Sequence, residues 1–132
     1  MVIAKKAMRA LIKAGIIWML IFCLLTHNPP RPGKFIFINE SDMVVYNLEM
    51  DYHWTLRERL SPLEPGEQVE YVMRDPPIGE GSLVLNYMVN DESRSHTLYG
   101  YLTPGAFDGD TCTYTFDSDG LLVHIPDDDC RP

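Results

Sequence analysis

The sequence predicts an all-β domain of two sheets packed face to face, preceded by a single N-terminal helix fit to cross a membrane. Three observations carry that prediction. Residues 14–26 are uncharged and almost wholly apolar; beyond residue 33, apolar residues recur at alternate positions in segment after segment; and short stretches rich in Pro, Gly, Asn and Asp separate those segments. The first pattern suits a bilayer, the second half-buried strands, and the third the turns between them.

In chain order, residues 1–13 form a basic tail expected in the cytoplasm. Lys5, Lys6, Arg9 and Lys13 give it a charge of +4 with no carboxylate, whereas residues 27–132 hold all 19 Asp and Glu against seven Arg and Lys, a net of −12. Positive charge ahead of an apolar run stays in the cytoplasm during export, so everything after Thr26 is expected on the far side. The run Ala14–Leu25 is 12 residues long, the length of a signal-peptide core and short of the roughly 20 that a full span needs. Cleavage, however, requires small side chains one and three positions before the cut. After Phe22 the available pairs are Cys23 with Leu25, Leu24 with Thr26, and Thr26 with Asn28, and none fits. Counted from Ala7 to Thr26 the segment reaches 20 residues, interrupted only by Arg9 and Lys13, whose stems can snorkel toward headgroups. An uncleaved signal anchor over residues 14–26 is therefore expected, with Trp18 facing lipid or another helix. Lipidation at Cys23 is the rival reading, although Phe22 stands where a lipoprotein signal carries Gly, Ala or Ser.

Residues 27–33, His27-Asn28-Pro29-Pro30-Arg31-Pro32-Gly33, place three prolines in seven positions and read as a short stiff linker. The remaining 34–132 is 99 residues, enough for one core. Its first strand is expected over 34–39. Val44, Tyr46, Leu48, Met50, Tyr52, Trp54 and Leu56 then alternate with polar residues. Helical spacing would scatter that set around a cylinder, so the segment reads as one long strand with a bulge or bend near Asp51-Tyr52-His53. The same period places Val69, Tyr71 and Met73, then Leu83, Leu85, Tyr87 and Val89, then Cys112, Tyr114 and Phe116, and last Leu121, Val123 and Ile125 on inward faces, with a further strand over 96–103. Glu64-Pro65-Gly66-Glu67 and Thr103-Pro104-Gly105-Ala106 have the Pro-Gly centre of a type II turn. Asn90-Asp91-Glu92-Ser93 and Asp117-Ser118-Asp119-Gly120 are of hairpin length, and residues 74–81 are the expected crossover between sheets. About seven strands in a domain of this size predict an immunoglobulin-like sandwich by architecture, without the Cys…Trp…Cys spacing of true immunoglobulin domains.

Beyond Cys23 there are two cysteines, Cys112 and Cys130, expected to pair in an oxidising compartment and to close a loop of about 19 residues. The carboxylates of Asp108, Asp110, Asp117 and Asp119, with Asp127-Asp128-Asp129, are the weak candidates for calcium, but none completes a known calcium loop and solvated turns are the expectation. His27, His53, His96 and His124 show no metal spacing. Met50 and Met73 fall in phase with core residues, while Met43 and Met88 fall out of phase and could serve copper. No nucleophile elbow, phosphate loop or His-Glu-x-x-His is present, so neither an enzyme nor a cofactor is expected. The outer charge of −12 opposes nucleic acid and favours a basic protein partner. The strand face bearing Asn47, Glu49, Asp51, His53 and Arg57 is the expected contact surface. The whole reads as a protein of the bacterial inner membrane, single-pass, whose periplasmic domain binds another protein as an accessory subunit, adaptor or immunity protein; the alternative is a metal-binding or metal-delivery domain.

Overall fold

A computed structural model describes residues 2–26, 32–52, 56–73, 81–102, 109–126 and 130. The linker at 27–31, His53, Trp54, the Thr103-Pro104-Gly105-Ala106 turn, Asp108 and Asp127-Asp128-Asp129 lie outside those residues. The first element, α1 (Val2–Thr26), is a helix of 25 residues. It therefore joins the basic tail and the apolar run into one rod, because Ala4 to Leu11 are mostly strong helix formers with no Pro or Gly among them. Within Ile3–Thr26 an 18-residue window reaches a mean hydropathy of 2.0, and the stretch is long and apolar enough to cross a bilayer, as an N-terminal signal sequence also can be. Among the described residues nothing buries that stretch, and Trp18 is 73% exposed.

Eight strands follow rather than about seven: β1 (Gly33–Asn39), β2 (Tyr46–Tyr52), β3 (Leu56–Arg59), β4 (Gln68–Met73), β5 (Gly81–Val89), β6 (Glu92–Leu102), β7 (Thr111–Phe116) and β8 (Leu122–Ile125). They form two four-stranded sheets, ordered β4-β1-β7-β8 and β3-β2-β5-β6. The first sheet is mixed, since β1 runs antiparallel to β4 and parallel to β7, whereas the pairs in the second are all antiparallel. Strands β4 and β5 belong to different sheets, so the segment between them is a crossover as the sequence suggests.

Alternation fills the space between the sheets. Phe35 and Phe37 from β1, Leu48, Met50 and Tyr52 from β2, Leu83, Leu85, Tyr87 and Val89 from β5, and Cys112, Tyr114 and Phe116 from β7 are all buried. Each fully buried large apolar side chain is worth about 1.5–3 kcal/mol relative to exposure. The rings interlock, with Phe37 stacked on Tyr114 at 5.8 Å and Tyr87 set edge-on to Phe116 at 5.0 Å. Met50 and Met73 are in this core, as their phase predicts.

Three local readings change, each because a turn or bulge inserts residues that period alone does not reveal. The long alternating segment is two strands: β2 reverses into β3, with Glu49 opposite Arg59 and Tyr52 opposite Leu56. Leu56 comes four positions after Tyr52, an even step, so the phase survives the reversal and hides it. A separate bulge lies at the other end of β2. Asn47 has φ 51°, and the β2–β5 register slips between Tyr46 and Glu49, which turns Val45 inward and leaves Val44 exposed and Tyr46 half-buried. The last strand is shifted by one residue, so Leu122 is buried and Leu121, Val123 and Ile125 face solvent. The cause is the preceding turn: Asp117 N–H bonds to Leu121 C=O, with Gly120 at φ 70° making the extra residue of a three-residue hairpin loop. Such a slip moves every side chain of the strand to the opposite face.

Other turns agree with their sequences. Gly66 has φ 82° and Glu67 N–H bonds to Glu64 C=O, the type II arrangement. Asn90 and Asp91 both have positive φ and join β5 to β6 as a two-residue hairpin loop.

Candidate interaction surfaces

The outer face of the second sheet carries the residues expected to meet a partner. Glu49 faces Arg59 and Asp51 faces Arg57, each pair at 3.6 Å, so both carboxylates have guanidinium neighbours across the β2–β3 pair. This face is charge-balanced rather than acidic. His53 lies outside the described residues. Asn47, Glu49, Arg59, Asn86, Met88 and Ser93 line an open depression of about 390 Å³ on it.

The acidic charge gathers instead where the loops after β1, β3, β5 and β7 meet. Asn39, at the end of β1, organises this end: it is fully buried, and its side-chain amide donates to Met43 C=O at 2.7 Å and Leu63 C=O at 2.9 Å. Its carbonyl oxygen accepts from Ser41 N–H at 3.0 Å and Ser41 Oγ at 2.7 Å. One side chain thus ties the β1–β2 and β3–β4 connections, both of which cross between the sheets, to the first sheet. Around it stand Glu40, Asp42, Glu64, Glu67, Asp91, Glu92, Asp117 and Asp119, against Arg94. The Arg94 guanidinium bonds to Asp119 C=O at 2.8 Å and to Glu92 at 3.2 Å. Tyr46 donates to Asp91 at 2.6 Å, which raises the tyrosine pKa.

Of the calcium candidates, Asp108 is outside the described residues. Asp110 sits ahead of β7, where its carbonyl accepts from Lys34 N–H. Asp117 uses Oδ1 to accept from the amides of Asp119 and Leu121, both at 2.9 Å, an occupation that shapes the β7–β8 turn. Among the described residues no three His, Cys, Asp or Glu come together as a ligand set. Met43 and Met88, the copper candidates, each receive an amide, from Asn90 at 2.8 Å and Asn47 at 3.3 Å. Cys112 and Cys130 form the expected disulfide, with their Cα atoms 4.9 Å apart, and Tyr99 Oη lies 3.2 Å from Cys112 Sγ. Burial, with the Asp110 charge adding to it, pushes Tyr99 up to about 12.

An arrangement that the sequence does not reveal occupies the side where β6 and β8 are the neighbouring edges of the two sheets. Tyr87, Arg94, Ser95, His96, Asp117, Leu121, Leu122 and Val123 line an open groove of about 570 Å³ there. The Tyr114 ring stands 6.1 Å from His96 and 5.0 Å from His124. Desolvation, together with the nearby His124, lowers the His96 pKa. His124 Nε2 is buried without a hydrogen-bond partner among the described residues. These histidines are 28 positions apart, and only the one-residue shift of β8 turns His124 inward, so no spacing rule could pair them.

No protein-family model matches the chain, and no curated protein does. A solved structure with a similar outline is the NMR structure of a protein from Eubacterium rectale, at 9% identity and a TM-score of 0.48, spanning 72% of this chain and 87% of that one. That likeness carries no functional argument.

Proposed function

We propose that this protein is a membrane-anchored, extracytoplasmic binding module: a single-pass protein of the bacterial inner membrane whose immunoglobulin-like periplasmic sandwich engages another protein. The observation that carries the reading is the division of the chain at Thr26. Before it lie four cations on a helix whose apolar surface is covered by nothing among the described residues; after it lie all the carboxylates, in the part of the chain that holds the sandwich and its disulfide. Cations ahead of an apolar segment favour a cytoplasmic N-terminus, and a disulfide favours an oxidising compartment beyond it. A module that binds rather than transforms fits a surface made of sheet faces, edges and turns. Membrane fractions washed with carbonate should retain the protein, and protease added to spheroplasts should digest the sandwich. A mature chain beginning near Asn28 would sink the anchor, and one beginning at a lipidated Cys23 would replace it with a lipid. Cross-linking in intact membranes should capture a defined protein partner.

One observation favours the metal-handling alternative, namely the buried, unpartnered Nε2 of His124 with His96 nearby. Imidazole nitrogens suit copper and zinc. A ligand that prefers the folded state raises its midpoint, so copper, zinc and calcium should each leave Tm unchanged if protein binding is the function. A rise lost in both His96→Gln and His124→Gln, or in Asp117→Asn with Asp119→Asn, would move the reading to metal.

A further inference from the structure

We propose that the edge of β8, unpaired among the described residues, is the docking site: it accepts an extended segment of another protein, apolar at alternate positions and basic at the end that lies over Asp117 and Asp119. This deepens the protein-binding reading, on which it rests, by naming the surface and the chemistry of the occupant.

The sandwich has four edge strands, and three of them carry charge, β6 only at its start. β3 carries Arg57, Glu58 and Arg59; β4 carries Glu70, paired with Lys34 at 3.0 Å; β6 carries Glu92 and Arg94. Charge on an edge is how sheets resist adding a strand. β8, Leu122-Val123-His124-Ile125, has no Lys, Arg, Asp, Glu or Pro. Five large apolar side chains are exposed on the described part of the sandwich, and three of them, Leu121 at 49%, Val123 at 46% and Ile125 at 38%, form one strip along this edge. The backbone is available as well. Asp117 bonds with Leu121 across the hairpin, and bonding pairs alternate along an antiparallel ladder, so the peptide groups of Leu122 and His124 point away from β7. Tyr87 Oη accepts from Leu122 N–H at 3.2 Å, and by the same alternation the His124 N–H and C=O face the side on which the sheet has no further strand among the described residues. A strand added there lays its outward side chains beside the apolar strip and its inward ones over the groove between β8 and β6.

Charge selects the occupant. The β7–β8 turn places Asp117 and Asp119 at one end of the strip, with Asp91 and Glu92 close by through Tyr46 and Arg94. A basic end is attracted to that turn, whereas a second copy brings another strongly acidic domain against the first.

The test uses the full chain in detergent micelles and an acetylated peptide that alternates Val with Thr and ends in two Lys. Hydrogen exchange over residues 121–125 should slow on adding the peptide. A version ending in two Glu should bind roughly ten-fold more weakly, and the difference should shrink with salt. A version N-methylated on the pairing amides should not bind, which tests the backbone bonds without altering the protein. Val123→Lys should abolish protection while leaving Tm within a few degrees. Absence of protection at millimolar peptide, protection on another strand instead, or binding that survives Val123→Lys would overturn the proposal. A dimer in sedimentation that Val123→Lys dissolves would overturn it in favour of a second copy. In membranes, partner cross-linking that persists in Val123→Lys sinks the edge and keeps the binding reading, whereas no cross-linked partner to either form sinks that reading as well.

Discussion

Asn39→Asp replaces one buried amide by a side chain of the same shape and should expose how much of the fold hangs on it. One oxygen of the new carboxyl still accepts from Ser41 N–H and Oγ. The other replaces an amide nitrogen that donates to Met43 C=O at 2.7 Å and Leu63 C=O at 2.9 Å. When protonated, the carboxyl can satisfy one of those carbonyls, so near pH 3 the loss is one hydrogen bond, about 1 kcal/mol. When ionised, it sets negative charge against two carbonyl oxygens in a fully buried site, which raises its folded pKa above the unfolded value of about 3.9. The penalty is therefore absent at low pH and grows by about 1.4 kcal/mol per pH unit until the folded pKa is passed. A rise of two units gives a total of about 4 kcal/mol at pH 7, and a midpoint lowered by about 20 °C for a domain of this size. Thermal unfolding of the full chain in detergent, wild type against variant at each pH from 3 to 7, reads this directly. A gap that stays constant across that range would refute the reasoning, since a purely steric fault has no reason to titrate.

Three further outcomes follow from local geometry. Cys112→Ser should lower stability by about 3 kcal/mol through the lost constraint on the unfolded chain, and non-reduced peptide mapping should join Cys112 to Cys130; free thiols in exported protein would contradict it. Gly120→Ala should cost more than Gly66→Ala, although both have positive φ: a Cβ at Gly120 falls 2.9 Å from Val89 Cγ1, while at Gly66 nothing lies within 4 Å. Strain alone is worth about 1 kcal/mol, so equal midpoints for the two variants would show that Val89 does not resist. Tyr99, raised to about 12, and Tyr71 and Tyr114, raised further chiefly by burial, should remain protonated in the folded chain at pH values where free tyrosine ionises. Stability is then intact below pH 10 and lost as pH rises through the folded values, so their phenolate absorbance should appear together with unfolding rather than near pH 10.

That a β-sandwich follows an apolar helix is legible in the residues alone, because both signals are local: a charge-free run needs no partner to be recognised, and period two forces an extended chain. So is the disulfide, since two outer cysteines leave a single possible pair. The residue-level core was legible wherever a strand ran without interruption, as from Leu83 to Val89. It was lost where one residue was inserted. The Asn47 bulge exchanged Val44 for Val45, and the Gly120 turn sent Leu121, Val123 and Ile125 outward and His124 inward, because a one-residue slip reverses a strand's faces and leaves its composition unchanged. Only tertiary structure could decide which carboxylates keep a net negative field. Glu49 and Asp51 are balanced by arginines that arrive when β3 folds back on β2, whereas the loops after β1, β3, β5 and β7 hold seven carboxylates, with Glu92 at the start of β6 as an eighth. The open edge of β8 likewise belongs to the sheet order, because a strand becomes an edge through the absence of a neighbour, and no stretch of sequence records what fails to pack beside it.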